Sequence, residues 1–396
     1  MSTIGGKADV LPDYEGRSIV NLVSSLAEAM GSESPYRSCD CINEDRLRKK
    51  ENIVLFILDG ISYEYLKKKG KDTVLFKEIG GKLTSVFPSS TASAIPTFYT
   101  GLAPQQHAVT GWYTYLRELG TVSTILPFKP RFGDESFERS DVDISSILSP
   151  RSIMKSIERK TVEVTPDKIK DSVFNIFYAQ NSERIGYSTL EDMFSILERY
   201  VILSEEETYI KAYWNGFDSA AHEDGVNSVS ASVTFLDIAV HMRDFIEMIK
   251  DTDTTVIVTS DHGFIDSSRE RSVRLQDHPE LEDCLTLPLC GDYRSVFCYV
   301  RPSKESDFVE YWEDNLKDVC ELHESEELIE QNYFGLHEPD PVLPHRVGDY
   351  TFIMKDDYIM YDTLANEKEH FIIGHHGGTT KEEMYVPVSK FVMGRD

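Results

Sequence analysis

The sequence predicts an α/β fold, a three-layer α/β/α sandwich around a mostly parallel central sheet. Three observations predict it. The runs Asn52–Leu58 (NIVLFIL) and Thr255–Ser260 (TVIVTS) are apolar and short, as strands buried on both faces of a parallel sheet are. Stretches of helical periodicity alternate with such runs, the pattern of layered α/β domains. Both runs end on carboxylates, Asp59 and Asp261, at the strand ends where open α/β sheets place their ligands. A chain of 396 residues holds one large domain with insertions. We expect residues 51–396 to form that domain, and residues 1–50 to be an N-terminal extension packing on it.

Taken in order, Ile19–Met30 (IVNLVSSLAEAM) has apolar residues at helical spacing and is expected to pack on the outside of the core. After the charged stretch Glu44–Glu51 comes the first strand, then Asp59-Gly60 and a helix over Ser62–Lys69. Phe132–Asp143 reads as exposed loop and Ile144–Lys160 as partly helical. Ser172–Tyr178 (SVFNIFY) reads as a strand. Thr189–Leu203 is an amphipathic helix. The strand Glu207–Trp214 delivers Asp218, and Val226–Ile249 is a long helix leading to the strand before Asp261. Residues 266–345 break the rhythm with charge and with Pro279, Pro288, Pro302, Pro339, Pro341 and Pro344. They are expected to be an insertion or cap, with strands at Ser295–Val300 and, just beyond, Thr351–Met354. There is no internal repeat or low-complexity tract.

Composition narrows the function. A formal charge of −27 argues against stable nucleic-acid binding, which needs a basic surface. No run approaches the roughly twenty apolar residues that span a bilayer. The first residues show neither a basic n-region nor an apolar h-region, so a cytoplasmic location is expected. Accordingly Cys39, Cys41, Cys284, Cys290, Cys298 and Cys320 are read as reduced thiols.

The segment Val86–Trp112 (VFPSSTASAIPTFYTGLAPQQHAVTGW) offers hydroxyls at a strand-to-helix junction, where first-turn amides bind anions. Alone, it is ordinary turn and N-cap chemistry. Four further stretches change its meaning: Asp59 after the first strand, Asp218 and His222 four apart in WNGFDSAAHEDG, the pair Asp261 and His262, and His375 and His376 before Gly377-Gly378. They supply three carboxylates and three or four imidazoles, a donor set for two divalent metals that suits zinc, iron or manganese. Asp218 and His222 share one face if their loop is helical. Asp261 and His262 can serve together only where the strand turns out of the sheet, which Gly263 favours.

These motifs, in this order from about Asn52 to Val388, resemble the alkaline phosphatase superfamily, and within it the type I phosphodiesterase/nucleotide pyrophosphatase branch. The resemblance implies a Thr nucleophile ten residues before the Gly of a Thr-Gly pair, which is Thr91 before Thr100-Gly101. It implies one metal on Asp59, Asp261, His262 and Thr91, and a second on Asp218, His222 and His376, with zinc the usual metal. His375 would stand behind the ligands. The implied reaction is in-line attack on phosphorus by Thr91, then hydrolysis of the phospho-threonine.

The resemblance stops short of the substrate contacts. Ala92 and Ser93 follow the nucleophile where nucleotide pyrophosphatases carry a stacking aromatic, and Trp112 stands where they carry a phosphoryl-binding Asn. Ser93 also occupies the place of the monoesterases' Arg, and no sulfatase motif is present. Trp112, Lys129, Arg131 and Arg294 are the remaining substrate-binding candidates. The expected activity is hydrolysis of a small phosphodiester or nucleotide. The alternatives are a monoesterase or phosphomutase of the same superfamily, and a non-catalytic metal-binding relative.

Overall fold

Seven strands form the central sheet, in the order Ile79–Thr84, Tyr385–Val392, Thr254–Thr259, Asn52–Leu58, Thr208–Trp214, Lys160–Pro166 and Glu183–Tyr187. The computed structural model describes residues 9–133, 135–148, 152–365, 367–368 and 370–394. The last five strands of that order run parallel. Tyr385–Val392 runs antiparallel to both its neighbours. The first strand lies at the centre with all seven residues buried, as its unbroken apolar run requires.

Successive side chains of that strand feed two cores. Ile53, Leu55 and Ile57 pack with the helices Ile19–Ala29, Thr91–Thr100 and Val173–Ala179. Val54, Phe56 and Leu58 pack on the opposite face with Tyr63–Lys69, Leu190–Ile202 and Val229–Met248. Helices on both faces of a mostly parallel sheet make the expected three-layer sandwich.

Two expectations are corrected. Ser172–Tyr178 is not a strand. Ser172 caps the helix Val173–Ala179, accepting from the Asn175 amide at 3.2 Å, and Phe174 and Tyr178 are buried one turn apart. A seven-residue apolar run cannot separate the two periods, and the strand of this region is Lys160–Pro166 instead. The helix Ile19–Ala29 is not peripheral either. Ten of its eleven residues are buried, roofed by Tyr36, Cys39, Ile42 and Leu47.

A second seven-stranded, antiparallel sheet covers the carboxyl end of the first. Its order is Cys320–Glu324, Tyr350–Met354, Ser295–Cys298, Cys290–Gly291, Tyr113–Leu116, Thr121–Thr124 and Lys129–Pro130. The cap is therefore wider than residues 266–345, because three strands from 113–130 and one from 350–354 complete it. Among the described residues no helix is long and apolar enough to cross a membrane.

Because Leu26 is fully buried in the first helix, Leu26→Ala should lower unfolding free energy in urea by about 2–5 kcal/mol. A loss below about 1 kcal/mol would mean the helix is an accessory to the fold.

Candidate active site

Each candidate side chain is delivered by the end of a core element. Asp59 directly follows the central strand, and its amide donates to the Trp214 carbonyl at 2.9 Å. Gly60 then turns the chain at φ +80°, where a Cβ would meet the Phe264 ring at 2.5 Å. Asp261 and His262 lie where Thr254–Thr259 leaves the sheet, the exit their joint use requires. Gly263 permits this exit, since a Cβ there would stand 2.0 Å from the Glu382 carbonyl oxygen. Asp218 and His222 sit one turn apart on the helix Gly216–Asp224, and the short strand Gly374–His375 carries His376 just after it. Thr91 is the first residue of the helix Thr91–Thr100. Ser90 caps that helix without a side-chain bond, and its carbonyl takes the Ser93 amide at 3.1 Å, so the Thr91 and Ala92 amides are the ones open to an anion.

The seven residues fall into two adjoining groups. Asp59, Asp261 and His262 hold ligand atoms within 4.8 Å of one another, as do Asp218, His222 and His376. In the first group His262 Nε2 is 3.3 Å from Asp59 Oδ1, 3.6 Å from Asp261 Oδ2 and 2.9 Å from Thr91 Oγ1. Its Nδ1 faces the Gly263 carbonyl at 3.1 Å, which places the ring proton there and turns a lone pair toward Thr91. In the second, His222 Nδ1 faces the Gly374 carbonyl at 2.8 Å and Nε2 lies 3.3 Å from Asp218 Oδ1. The His262 and His376 rings stack with centroids 3.9 Å apart, so the groups share a wall.

The donor set fits divalent metal. Asp59 Oδ1, Asp261 Oδ2, Asp218 Oδ1 and His376 Nδ1 are buried and have no hydrogen-bond partner. Four orphaned lone-pair atoms converging in one place are costly unless a cation takes them. Burial, then the Asp218 and Asp261 charges, push Asp59 well above the usual carboxylate range. Burial, then neighbouring imidazoles, hold His376 well below its ordinary value, a neutral ring suited to ligation. Burial, the largest single effect, lowers His222, but the Asp218 carboxylate, the Gly374 carbonyl and the Asp292 charge together outweigh it and the net shift is upward. His375 joins neither group. Burial holds it down at about 3, and its Nε2 faces the Ile372 carbonyl at 3.0 Å.

Both groups open into one cavity of about 810 Å³ between the sheets. Trp112 lines it, as expected, and is 38% exposed. The three other substrate-binding candidates are not brought to it. Arg294 is fully buried and clamps Glu383 through Nε at 3.1 Å and Nη2 at 3.0 Å. Arg131 pairs with Asp362 at 2.7 Å and Glu367 at 2.9 Å, under the Tyr113 ring. Lys129 pairs with Thr124 on the far edge of the cap sheet. A cation is more easily seen in a sequence than the carboxylate that occupies it.

The cavity also holds residues that sequence reasoning missed: Lys168, Asn215, Tyr213 and Asp292. The Tyr213 hydroxyl donates to Asp59 Oδ2, and its place at the end of a buried strand was the available signal. Asp292 takes hydrogen bonds from the Ser90 side chain and the Trp112 amide; burial raises it to about 6. Nothing in the local sequence marks Asp292, because a cap turn brings it there.

The chain matches the type I phosphodiesterase / nucleotide pyrophosphatase family over residues 53–379. It belongs to that family, and is a phosphoester hydrolase of the phosphodiesterase/pyrophosphatase type, within the alkaline phosphatase superfamily. The family is generally dependent on divalent metal. No curated protein matches in sequence. Among solved structures, murine ectonucleotide pyrophosphatase/phosphodiesterase 5 is similar with a TM-score of 0.64 at 16% identity, over 86% of this chain and 87% of that one. An inactive variant of the murine protein, in complex with AMP, gives 0.63 at 17%, over 85% and 87%. Phosphonoacetate hydrolase from Sinorhizobium meliloti 1021, in complex with phosphonoformate, gives 0.61 at 14%, over 87% and 90%. At these identities the likeness is one of fold.

Glu383 also accepts from the Gly378 amide at 2.8 Å, so its pair with Arg294 ties down the loop after His376. Arg294→Met leaves that carboxylate buried without its cation. It should cost about 3–5 kcal/mol in chemical denaturation, and an unchanged midpoint would contradict the structural role.

Proposed function

We propose that this chain hydrolyses a small phosphodiester or nucleotide through Thr91, using two divalent cations, with zinc the expected metal. The observation that carries the reading is two adjoining groups of ligand atoms, most of them unpartnered, with the hydroxyl of a helix-start residue against the first of them. Asp59, Asp261, His262 and Thr91 would hold one cation, and Asp218, His222 and His376 the other. Mixed nitrogen and oxygen donors suit zinc, and manganese or iron is compatible. When bound, such cations supply Lewis acidity and positive charge to both sides of a phosphoryl group.

The protein's own groups supply position. Gly263 and Gly374 carbonyls fix the His262 and His222 rings, so each presents Nε2 inward. Thr91 stands where its Oγ1 meets a phosphorus atom lying over the first helical turn, and the free amides there receive phosphoryl oxygens. These amides take the role that the family's Asn leaves open at Trp112. Tyr113, Asp292 and Tyr293 of the cap help to wall the cavity.

Asp292 supports a diester over a monoester. At neutral pH it is mostly ionised, and it is bonded to Ser90, next to Thr91. A carboxylate there repels a dianionic monoester more than a monoanionic diester.

Three outcomes test this reading. Zinc-reconstituted protein should turn over bis-p-nitrophenyl phosphate, and lose that activity on chelation. Thr91→Ala should lower kcat by about 10⁴-fold or more; a variant as active as the parent would remove Thr91 as nucleophile. Asp292→Asn should narrow the rate ratio of bis- to mono-p-nitrophenyl phosphate by about tenfold, and an unchanged ratio would show that Asp292 does not select between them.

A further inference from the structure

Below the two ligand groups the cavity runs on to a buried ion pair that the proposed chemistry does not use. Glu163 and Lys211 face each other in the register of the strands Lys160–Pro166 and Thr208–Trp214. Their side chains are each only 4% exposed, yet both line the cavity. Lys211 lies two residues before Tyr213 on the same strand face, about 7 Å along the strand, and Tyr213 bonds Asp59. The pair is thus a short molecular arm away from the metal-type site.

Its hydrogen bonding is incomplete. Lys211 Nζ donates to Glu163 Oε1 at 2.8 Å and stands over the Tyr99 ring. The Tyr99 hydroxyl donates to the same Oε1. Glu163 Oε2 is buried and has no partner. An ammonium has three N–H donors, so Lys211 also has capacity left. A purely structural pair would sit in packed core with its lone pairs satisfied, because a half-satisfied buried network costs more than an apolar one. This one lies at the cavity wall instead, beside Ile95, Phe174 and Asn175. Burial lowers Lys211 to about 8, against the pull of Glu163, so it is charged at neutral pH.

We propose that Glu163 and Lys211 form a second subsite that reads the organic group of the phosphoester, accepting at Glu163 Oε2 and donating from Lys211 Nζ. The proposal rests on the phosphoester-hydrolase reading for what occupies the upper site. The group selected presents a hydrogen-bond donor beside an acceptor, as the amino edge of a nucleobase or the hydroxyls of a polyol do. An apolar group of the same size would leave Glu163 Oε2 without a donor, and sites with an unpaired polar atom discriminate strongly.

The test is calorimetric, on zinc-loaded protein, with matched phosphate ligands. AMP is compared with purine riboside 5′-monophosphate, which lacks the amino group, and sn-glycerol 3-phosphate with n-propyl phosphate, which lacks the hydroxyls. At least one polar ligand should bind about tenfold more tightly than its mate, roughly 1.4 kcal/mol. The first pair responding identifies a base edge, the second a polyol. In Glu163→Gln and Lys211→Met the preference should shrink to about threefold or less. Equal affinities within both pairs, or a preference kept in both variants, would overturn the subsite. The ligand-side comparison needs no variant, so it decides even if a substituted chain does not fold. Turnover of bis-p-nitrophenyl phosphate is read in parallel. Turnover without discrimination sinks the subsite alone, whereas discrimination without turnover leaves the subsite and sinks the hydrolytic role of Thr91.

Discussion

Three carboxylates, Asp59, Asp218 and Asp261, meet at the carboxyl end of the central sheet, and the structure around them follows from that repulsion. Each has an oxygen that is buried and without a donor. Two buried like charges cannot both ionise cheaply, and Asp59 is pushed upward by burial first and then by the Asp218 and Asp261 charges. Metal ligation turns the same arrangement from a liability into a stabilising one, since binding free energy becomes folding free energy. Imidazoles oriented by the Gly263 and Gly374 carbonyls complete both groups.

The same constraint reconciles a charge of −27 with an anionic substrate. The acidity is spread over the surface, where it serves solubility. Inside the cavity, local charge is set by what the ligand groups hold and by helix-start amides, and bound ions invert the local field. The buried arginines do not contribute there. Arg294 and Arg131 are spent on Glu383, Asp362 and Glu367, and what they stabilise is the loop after His376 and the cap. The proposed preference for a singly charged phosphoester rests on Asp292, one more negative charge in the cavity.

Much of this was legible in the residues. Fully buried parallel strands write themselves as unbroken apolar runs, so Asn52–Leu58 and Thr254–Thr259 were read within a residue or so, and with them the positions of Asp59 and Asp261. An Asp-x-x-x-His spacing and a His before a Gly pair carry geometry in their spacing. What was not legible depends on distant contacts. Ser172–Tyr178 is too short for its period to decide between strand and helix. The burial of Ile19–Ala29 depends on a roof supplied by residues 36–47. Which cation meets which carboxylate is settled by pairings between distant parts of the chain, 89 residues apart for Arg294 with Glu383 and 236 for Arg131 with Glu367. The Glu163–Lys211 pair left a trace, a charged residue in the middle of each of two strands, but its meaning appears only when the register sets them opposite each other.

The central claim is that Thr91 attacks phosphorus, and trapping the covalent adduct tests it most directly. Zinc-loaded protein mixed with a slow phosphodiester, quenched in acid and digested, should yield a peptide whose mass gain maps to Thr91, and the gain should vanish on chelation. An adduct on Ser89, Ser90 or Ser93 instead, or steady turnover with no adduct on any residue of this segment, would contradict the account.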